Sequence, residues 1–419
     1  MWEKAANPGA SMTSLSPHLP GFAPQVSAFC TELAGFREFG SATVCGEFGG
    51  VPVFENEFWT AKQREGHSLQ EVSYRACFKP SLPGFFIKRF TKPGDAVYDP
   101  FMGRGTTLIE AALLGRRPVG NDANPLCIVL TAPRLAPPAQ DEIEKRVREI
   151  PLDAAADAPD DLHVFYHPDT LREIAALRAW FIARRESGAF DAVDAWIQMV
   201  ATNRLTGHSV GYFSVYTLPP NQATSVVAQR KINAKRDQTP PRRDVRAIIL
   251  KKSRNLLKDP MPDTPMLPGS LYTGSAASTP GIAGSSVALI VTSPPFLDIV
   301  QYKTDNWLRA WFCGIALDGV DVWEFRKLPD WSAAMRGAFA EFLRVLRPGG
   351  LMAFEVGEVR KGTVRLEEEV VRIGHAAGFT PECVLINTQD FTKTSNCWGI
   401  TNNERGTNSN RIVVLRKPE

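Results

Sequence analysis

Apolar residues along the chain fall into short runs that stop at polar or glycine-bearing loops, separated by longer stretches with helical spacing. Ala96-Val97-Tyr98 follows the turn Pro93-Gly94-Asp95 and opens onto a loop, Asp99 through Gly105. Thr107 and Glu110 beyond it have capping-box spacing, which predicts a helix starting there and ending near Gly115. Pro118-Val119-Gly120 reads as a second strand closing on Asp122. Strand, loop, helix and strand in that order form a βαβ unit and predict a parallel sheet.

The sheet pattern breaks off near residue 135. Leu171, Ile174, Leu177, Trp180 and Phe181 predict a helix over 169–185, and 191–202 reads as another. Strands resume at 287–291. A helix over 335–346 then leads through the turn Arg347-Pro348-Gly349-Gly350 into a strand at 351–355. A helix near 366–377 precedes strands at 383–386 and 411–415, expected as an antiparallel hairpin at the sheet edge. The predicted class is α/β: a Rossmann-like, mostly parallel sheet with an antiparallel C-terminal hairpin and a helical insertion. The expected divisions are an N-terminal segment, 1–65; a first part of the sheet domain, 66–134; the helical insertion, 135–268; and a second part of the sheet domain, 269–419.

Composition narrows this picture. At 419 residues, 44% hydrophobic and 22% charged, the chain has the make-up of a globular protein with a substantial core. No apolar run reaches membrane-spanning length, and Glu3-Lys4 is followed by no apolar core, so neither a membrane span nor a secretory signal is expected. Seven scattered cysteines without a C-x-x-C pair point to reduced thiols and a cytoplasmic setting. His163 and His167 have no cluster of further ligands, so no metal is expected.

The net charge of +3 conceals a local excess. Arg230, Lys231, Lys235, Arg236, Arg242, Arg243, Arg246, Lys251, Lys252, Arg254 and Lys258 face only Asp237 and Asp244 within their own segment. That concentration predicts a polyanion-binding surface. Arg204, with Asn203, His208 and Tyr212, lies just ahead of it and joins the candidate nucleic-acid contacts.

Two loops carry candidate chemistry. Thr292-Ser293-Pro294-Pro295-Phe296 ends an apolar strand in stiff backbone and a flat ring, where α/β enzymes place ligands, and suits a nucleobase. In Asp99-Pro100-Phe101-Met102-Gly103-Arg104-Gly105, two glycines allow a ligand close to the backbone. Leu108 stands where a dinucleotide fingerprint needs its third glycine, and the Walker pattern is absent. Asp122, at the tip of the next strand, is placed to accept ribose hydroxyls.

These motifs together resemble the S-adenosylmethionine-dependent DNA amino-methyltransferases. Residues Asp99 to Thr107 resemble their cofactor loop, Phe78-Lys79-Pro80 and the segment 82–90 their stretch over the cofactor's methionine end, and Ser293-Pro294-Pro295-Phe296 their catalytic motif. The match covers about 70–130 and 270–419. It implies a methyltransferase sheet, S-adenosyl-L-methionine as cofactor, and double-stranded DNA as substrate. The insertion would then recognise the target, and a restriction endonuclease acting on the same site is an expected partner.

By this resemblance Lys79, Pro80, Asp99, Pro100, Phe101, Gly103, Gly105, Thr106, Thr107 and Asp122 bind cofactor, while Ser293, Pro294, Pro295 and Phe296 serve catalysis. Ser293 and the Pro294 carbonyl would accept an amine's hydrogens and free its lone pair, with Phe296 stacking on the extruded base. Ser in this motif is the form found mostly in cytosine-N4 enzymes, whereas adenine-N6 enzymes mostly carry Asp or Asn. Carbon methylation is disfavoured because the chain has no Pro-Cys pair. An RNA methyltransferase and an inactive DNA-binding protein on the same scaffold are the remaining alternatives. Residues 268–275 lack the acid that often contacts the cofactor adenine. Asp305 or Asn306 is a further candidate cofactor contact, with helix capping the other role considered.

Overall fold

The run Val287–Thr292 forms β6, and all of its side chains are buried, as a strand covered on both faces requires. The computed structural model describes residues 27–60, 66–218, 220–295, 297, 302–357, 364–388 and 409–419, and in it β6 lies inside a nine-stranded sheet. β3 (Ala96–Asp99) and β7 (Leu346–Gly357) flank it in parallel. β4 (Arg117–Asp122) and β5 (Ser270–Thr273) extend the parallel order outward from β3.

On the other side, β9 (Ser409–Arg416) runs antiparallel between β7 and β8 (Thr380–Thr388). The expected antiparallel pair is present, but inside the sheet and not at its edge. Its composition explains the placement, because Ile412, Val413, Val414 and Leu415 are all buried and need cover on both faces. The edge is built from the first 65 residues, where the sequence suggested no elements. β2 (Val51–Asn56) pairs parallel with β8, and β1 (Val44–Phe48) pairs antiparallel with β2.

Strand alternation divides the core into two layers. Leu351 and Ala353 of β7 face α1 (Ala28–Gly35), α2 (Ser81–Phe90) and α3 (Thr106–Leu113). Met352 and Phe354 face α11 (Leu328–Val345) and α12 (Leu366–Ala376). A third cluster joins Leu108 and Ile109 of α3 to a helical body. That body includes α4 (Leu126–Leu135), α5 (Gln140–Glu149), α6 (Pro168–Glu186), α7 (Ala192–Thr202), α9 (Val245–Leu256) and α10 (Tyr302–Cys313). α8 (Val226–Arg236) lies on its surface. No helix among the described residues is long and apolar enough to cross a membrane.

Two local expectations fail for clear reasons. No capping box forms at Thr107, because α3 starts one residue earlier with Gly105 as its left-handed cap. The fully buried Thr107 hydroxyl donates instead to the Val291 carbonyl of β6 (3.1 Å), tying helix to strand. Arg347-Pro348-Gly349-Gly350 is an irregularity within β7, not a turn before it. Leu346 pairs with Val287 and Leu351 with Leu289, so the chain between them bulges, with Gly349 at φ +69°.

Candidate cofactor and catalytic site

The carboxyl ends of β5, β4, β3 and β6 lie side by side, and the loops leaving them line one pocket. Gly274 to Ala276 follow β5, Asp122 to Asn124 follow β4, Pro100 to Gly103 follow β3, and Ser293 and Pro295 follow β6. Tyr74 to Phe78 roof the pocket, and Asp321 to Trp323 form a rim. This is where an open α/β sheet binds ligands.

Asp99 ends β3 and is only 2% exposed. Its Oδ1 accepts from Thr292 Oγ1 (2.6 Å) and from the Phe101 backbone N–H (3.1 Å), while burial pushes its carboxyl up to about 7. Asp122 accepts backbone N–H groups from Gly103 (2.9 Å) and Asn124 (2.9 Å), and burial raises its pKa too. One acid thus holds both the glycine loop and the turn after β4. Gly103 sits at φ +50°, a conformation that favours glycine.

Pro100, Phe101, Gly103 and Thr106 line the pocket, whereas Gly105 and Thr107 are not among its lining residues. A Cβ on Gly105 would come within 2.4 Å of Thr131, so this glycine is required by helix packing. Lys79 and Pro80 are likewise absent from the lining. Pro80 caps α2, and burial lowers the Lys79 pKa. Their neighbours Cys77 and Phe78 face the pocket instead.

Ser293 lines the pocket, and the carboxyl of Glu355, buried on β7, lies near enough for the Ser293 side chain to favour its ionised form. Asn410 of β9 donates Nδ2 to Glu355 Oε1 (3.0 Å), and burial raises the pKa of this acid. Pro294 is buried outside the lining, and the Pro295 carbonyl accepts from Trp331 Nε1 (2.9 Å). Phe296 and Gln301 lie outside the described residues, as do 389–393 and 396–398.

The sequence did not point to Tyr74, Arg75, Asn124, Asp321, Trp323, Glu355 or Asn410. Asn124 lines the pocket, and its buried Nδ2 has no hydrogen-bond partner among the described residues, which leaves a donor in hand for a polar ligand. Tyr302 stacks on Tyr74 (6.5 Å between centroids). Asp305 caps nothing, because its side chain pairs with Arg75 (2.9 Å). Arg104 donates to the Val72 carbonyl (2.7 Å) and Thr106 Oγ1 (3.0 Å), tying the roof to the glycine loop.

The basic segment meets more acid in space than along the chain. Arg230 pairs with Asp161 (2.7 Å), Arg242 with Asp169 (3.8 Å) and Glu173 (3.6 Å), and Arg254 with Glu144 (2.9 Å). Lys252 and Lys258 share Glu71. Arg204 lies over the Tyr212 ring (4.1 Å) and Arg236 over Tyr216 (3.8 Å), while the Arg243 backbone N–H donates to Thr170 (2.9 Å). Lys231 and Lys235 stand exposed on α8. The described residues contain no group of three His, Cys, Asp or Glu that would hold a metal.

Comparison with known proteins bears on the same region. Residues 52–130 match the sequence model of a DNA methylase family. The Type II methyltransferase M.MjaII of Methanocaldococcus jannaschii is 38% identical over 69 residues, which is 16% of this chain and 13% of that protein. The chain therefore spans about an eighth of the length of this curated relative. Both matches support a DNA methylase family of the amino, N6 or N4, kind. Among solved structures, a putative DNA modification methylase from Thermus thermophilus, complexed with S-adenosyl-L-methionine, is 22% identical. It covers 35% of this chain and 54% of that one at a TM-score of 0.23. A SAM-dependent methyltransferase from Methanosarcina mazei is 11% identical, covering 80% and 97% at 0.33. At such scores these structural likenesses carry no further argument.

Proposed function

We propose that this chain is an S-adenosylmethionine-dependent DNA methyltransferase that modifies the exocyclic N4 amine of a cytosine flipped out of duplex DNA. The observation that carries the reading is Ser293, at the end of β6 in the same pocket as the Gly103 loop, with the buried Glu355 beside it. The bound cofactor would supply an electrophilic methyl group on a sulfonium.

The chain's own residues do the rest. Asp122 has both oxygens fixed by backbone N–H groups and presents its remaining lone pairs to ribose hydroxyls, and Asn124 Nδ2 donates to the nucleoside. With its proton turned toward the neighbouring Glu355, the Ser293 oxygen would keep its lone pairs for the amine's hydrogens. Methylation leaves one proton too many on the nitrogen. Ser293 and Glu355 form the path that takes it, and a carboxylate whose pKa is raised by burial is a better base for that task. Lys231 and Lys235 contribute to phosphate binding, and the insertion, 135–268, reads the target.

The test uses labelled S-adenosylmethionine with duplex DNA of varied sequence, followed by digestion and identification of the methylated nucleoside. N4-methylcytosine is expected. N6-methyladenine would overturn the base assignment alone, label in RNA only would move the substrate, and no labelled nucleoside would refute the enzyme.

A further inference from the structure

Val210 is 73% exposed, more than any other large apolar side chain among the described residues, and it stands at the tip of a tight turn. The Tyr212 N–H donates to the Ser209 carbonyl (3.2 Å) and the Gly211 N–H to Ser209 Oγ (3.4 Å), which makes Val210 the second of the four turn residues. Turns favour proline, glycine, serine, asparagine or aspartate, so nothing local calls for a β-branched apolar residue there. We propose that Val210 is a wedge that enters the duplex beside the target base and occupies the space its extrusion leaves. The proposal rests on the DNA methyltransferase reading above, and it deepens that reading.

The turn is mounted on a stiff base. Leu205, Phe213 and Val215 beneath it are buried, while His208 and Ser209 are exposed together with Val210. The Phe213 N–H donates to the Arg204 carbonyl and the Thr217 N–H to the Gly207 carbonyl (2.9 Å each), closing the stem. A Cβ on Gly207 would come within 2.4 Å of the Tyr212 ring, so that ring is packed directly on the opposing backbone. A β-branched side chain held on such a stem has little freedom left to lose when it enters a base stack.

The same segment borders the pocket and carries positive charge. At its start Asn203 Oδ1 accepts from the Ser73 N–H (2.7 Å); beyond its end the Gln222 side chain meets Arg75, and the Ala223 N–H donates to the Asp305 carbonyl (2.8 Å). Ser73 leads directly into Tyr74 and Arg75, which line the pocket. On the other side, Gln229 of α8 donates Nε2 to the Tyr216 carbonyl (2.9 Å), and Arg236 of α8 lies over the Tyr216 ring. The exposed Lys231 and Lys235 of that helix, the apolar tip and the pocket roof are thus joined through one stretch of chain. Proteins that open or bend a duplex insert apolar side chains between base steps, which offsets part of the stacking lost when a base leaves.

The test is single-turnover methylation by the full chain of the duplex it methylates best, with the target base either paired or facing an abasic position. An unpaired target costs less to extrude, so it makes less demand on a wedge. Val210→Ser suits the turn and removes the apolar tip. It should slow methylation of the paired duplex at least about tenfold and of the abasic duplex less than about twofold. Val210→Leu should keep the wild-type rate on both. S-Adenosylhomocysteine affinity, read by calorimetry, should be unchanged in both variants, which shows that they are folded. An equal loss on the two duplexes, no loss on either, or weakened S-adenosylhomocysteine binding overturns the proposal. If the wild type methylates no DNA, the methyltransferase reading itself falls and takes this proposal with it.

Discussion

Thr292 Oγ1 donates to Asp99 Oδ1 at 2.6 Å, joining the last residue of β6 to the last residue of β3 directly beneath the pocket. The two sequence motifs, almost two hundred residues apart, are thus coupled through one buried acid. Burial raises Asp99 from 3.8 to about 7, so between those values the folded chain keeps a proton that the unfolded chain has lost. Its contribution to stability is fullest below about pH 4 and declines as pH rises toward 7. Melting curves from pH 5 to 8 should show Asp99→Asn losing less stability with rising pH than the wild type does. Parallel curves would show that Asp99 does not titrate there.

Glu355→Gln should reduce turnover roughly a hundredfold or more, leaving cofactor affinity unchanged, because on the proposed route it removes the proton acceptor beside Ser293, and Glu355 is not itself among the residues that line the pocket. The acid limb of the pH–rate profile should vanish with it. Asn410→Ala removes a donor that favours the ionised carboxylate, so the same limb should move to higher pH. A profile unchanged in both variants would leave Glu355 with packing alone.

Gly103 and Gly105 should respond differently to alanine, although both have positive φ. At Gly103 the added methyl finds ordinary contacts, so the cost is that of the backbone, about 1 kcal/mol. At Gly105 it would also overlap Thr131, and the loss should be about 3 kcal/mol. Thr131→Ala should restore part of the Gly105→Ala loss and none of the Gly103→Ala loss, as read by denaturant unfolding.

Charge reversal at Lys231 and Lys235 should weaken DNA binding and reduce the slope of log affinity against log salt by about 0.9 for each phosphate no longer neutralised. Reversal at Arg230 or Arg242 should change the slope less, because Asp161, Asp169 and Glu173 already neutralise them. Binding measured across a salt series separates the two sets. Equal slopes for all four would mean that the ion pairs open on DNA.

The parts of this protein legible in the sequence are those whose cause is local. β3, β6 and β7 are short apolar runs bounded by glycine, proline or polar residues, and the loops after β3 and β6 carry their chemistry in consecutive residues. Glu355 and Asn410 gave no such signal. Glu355 lies beside Ser293 and Asn410 beside Glu355 because β7 lies between β6 and β9, a fact of strand order that no window of sequence contains. Arg75 was passed over for the same reason, since its partner Asp305 lies 230 positions away. The Thr107 spacing misled because the helix begins earlier, with Gly105 as its cap, which leaves Thr107 inside the first turn. The basic run misled in part because charge was balanced along the chain, whereas the neutralising acids come from neighbouring segments.

The interior position of β9 also sets a timetable for synthesis. Removing β9 from the order would leave two separate sheets: β7, β6, β3, β4 and β5 in one, and β1, β2 and β8 in the other. A ribosome that has made every earlier strand therefore still holds a cleft core, with the facing edges of β7 and β8 unpaired. Closure awaits residues 409–416, and Asn410, which donates to the buried Glu355 carboxyl, arrives with them. Glu355 therefore gains its Asn410 partner through the same strand that seals the sheet.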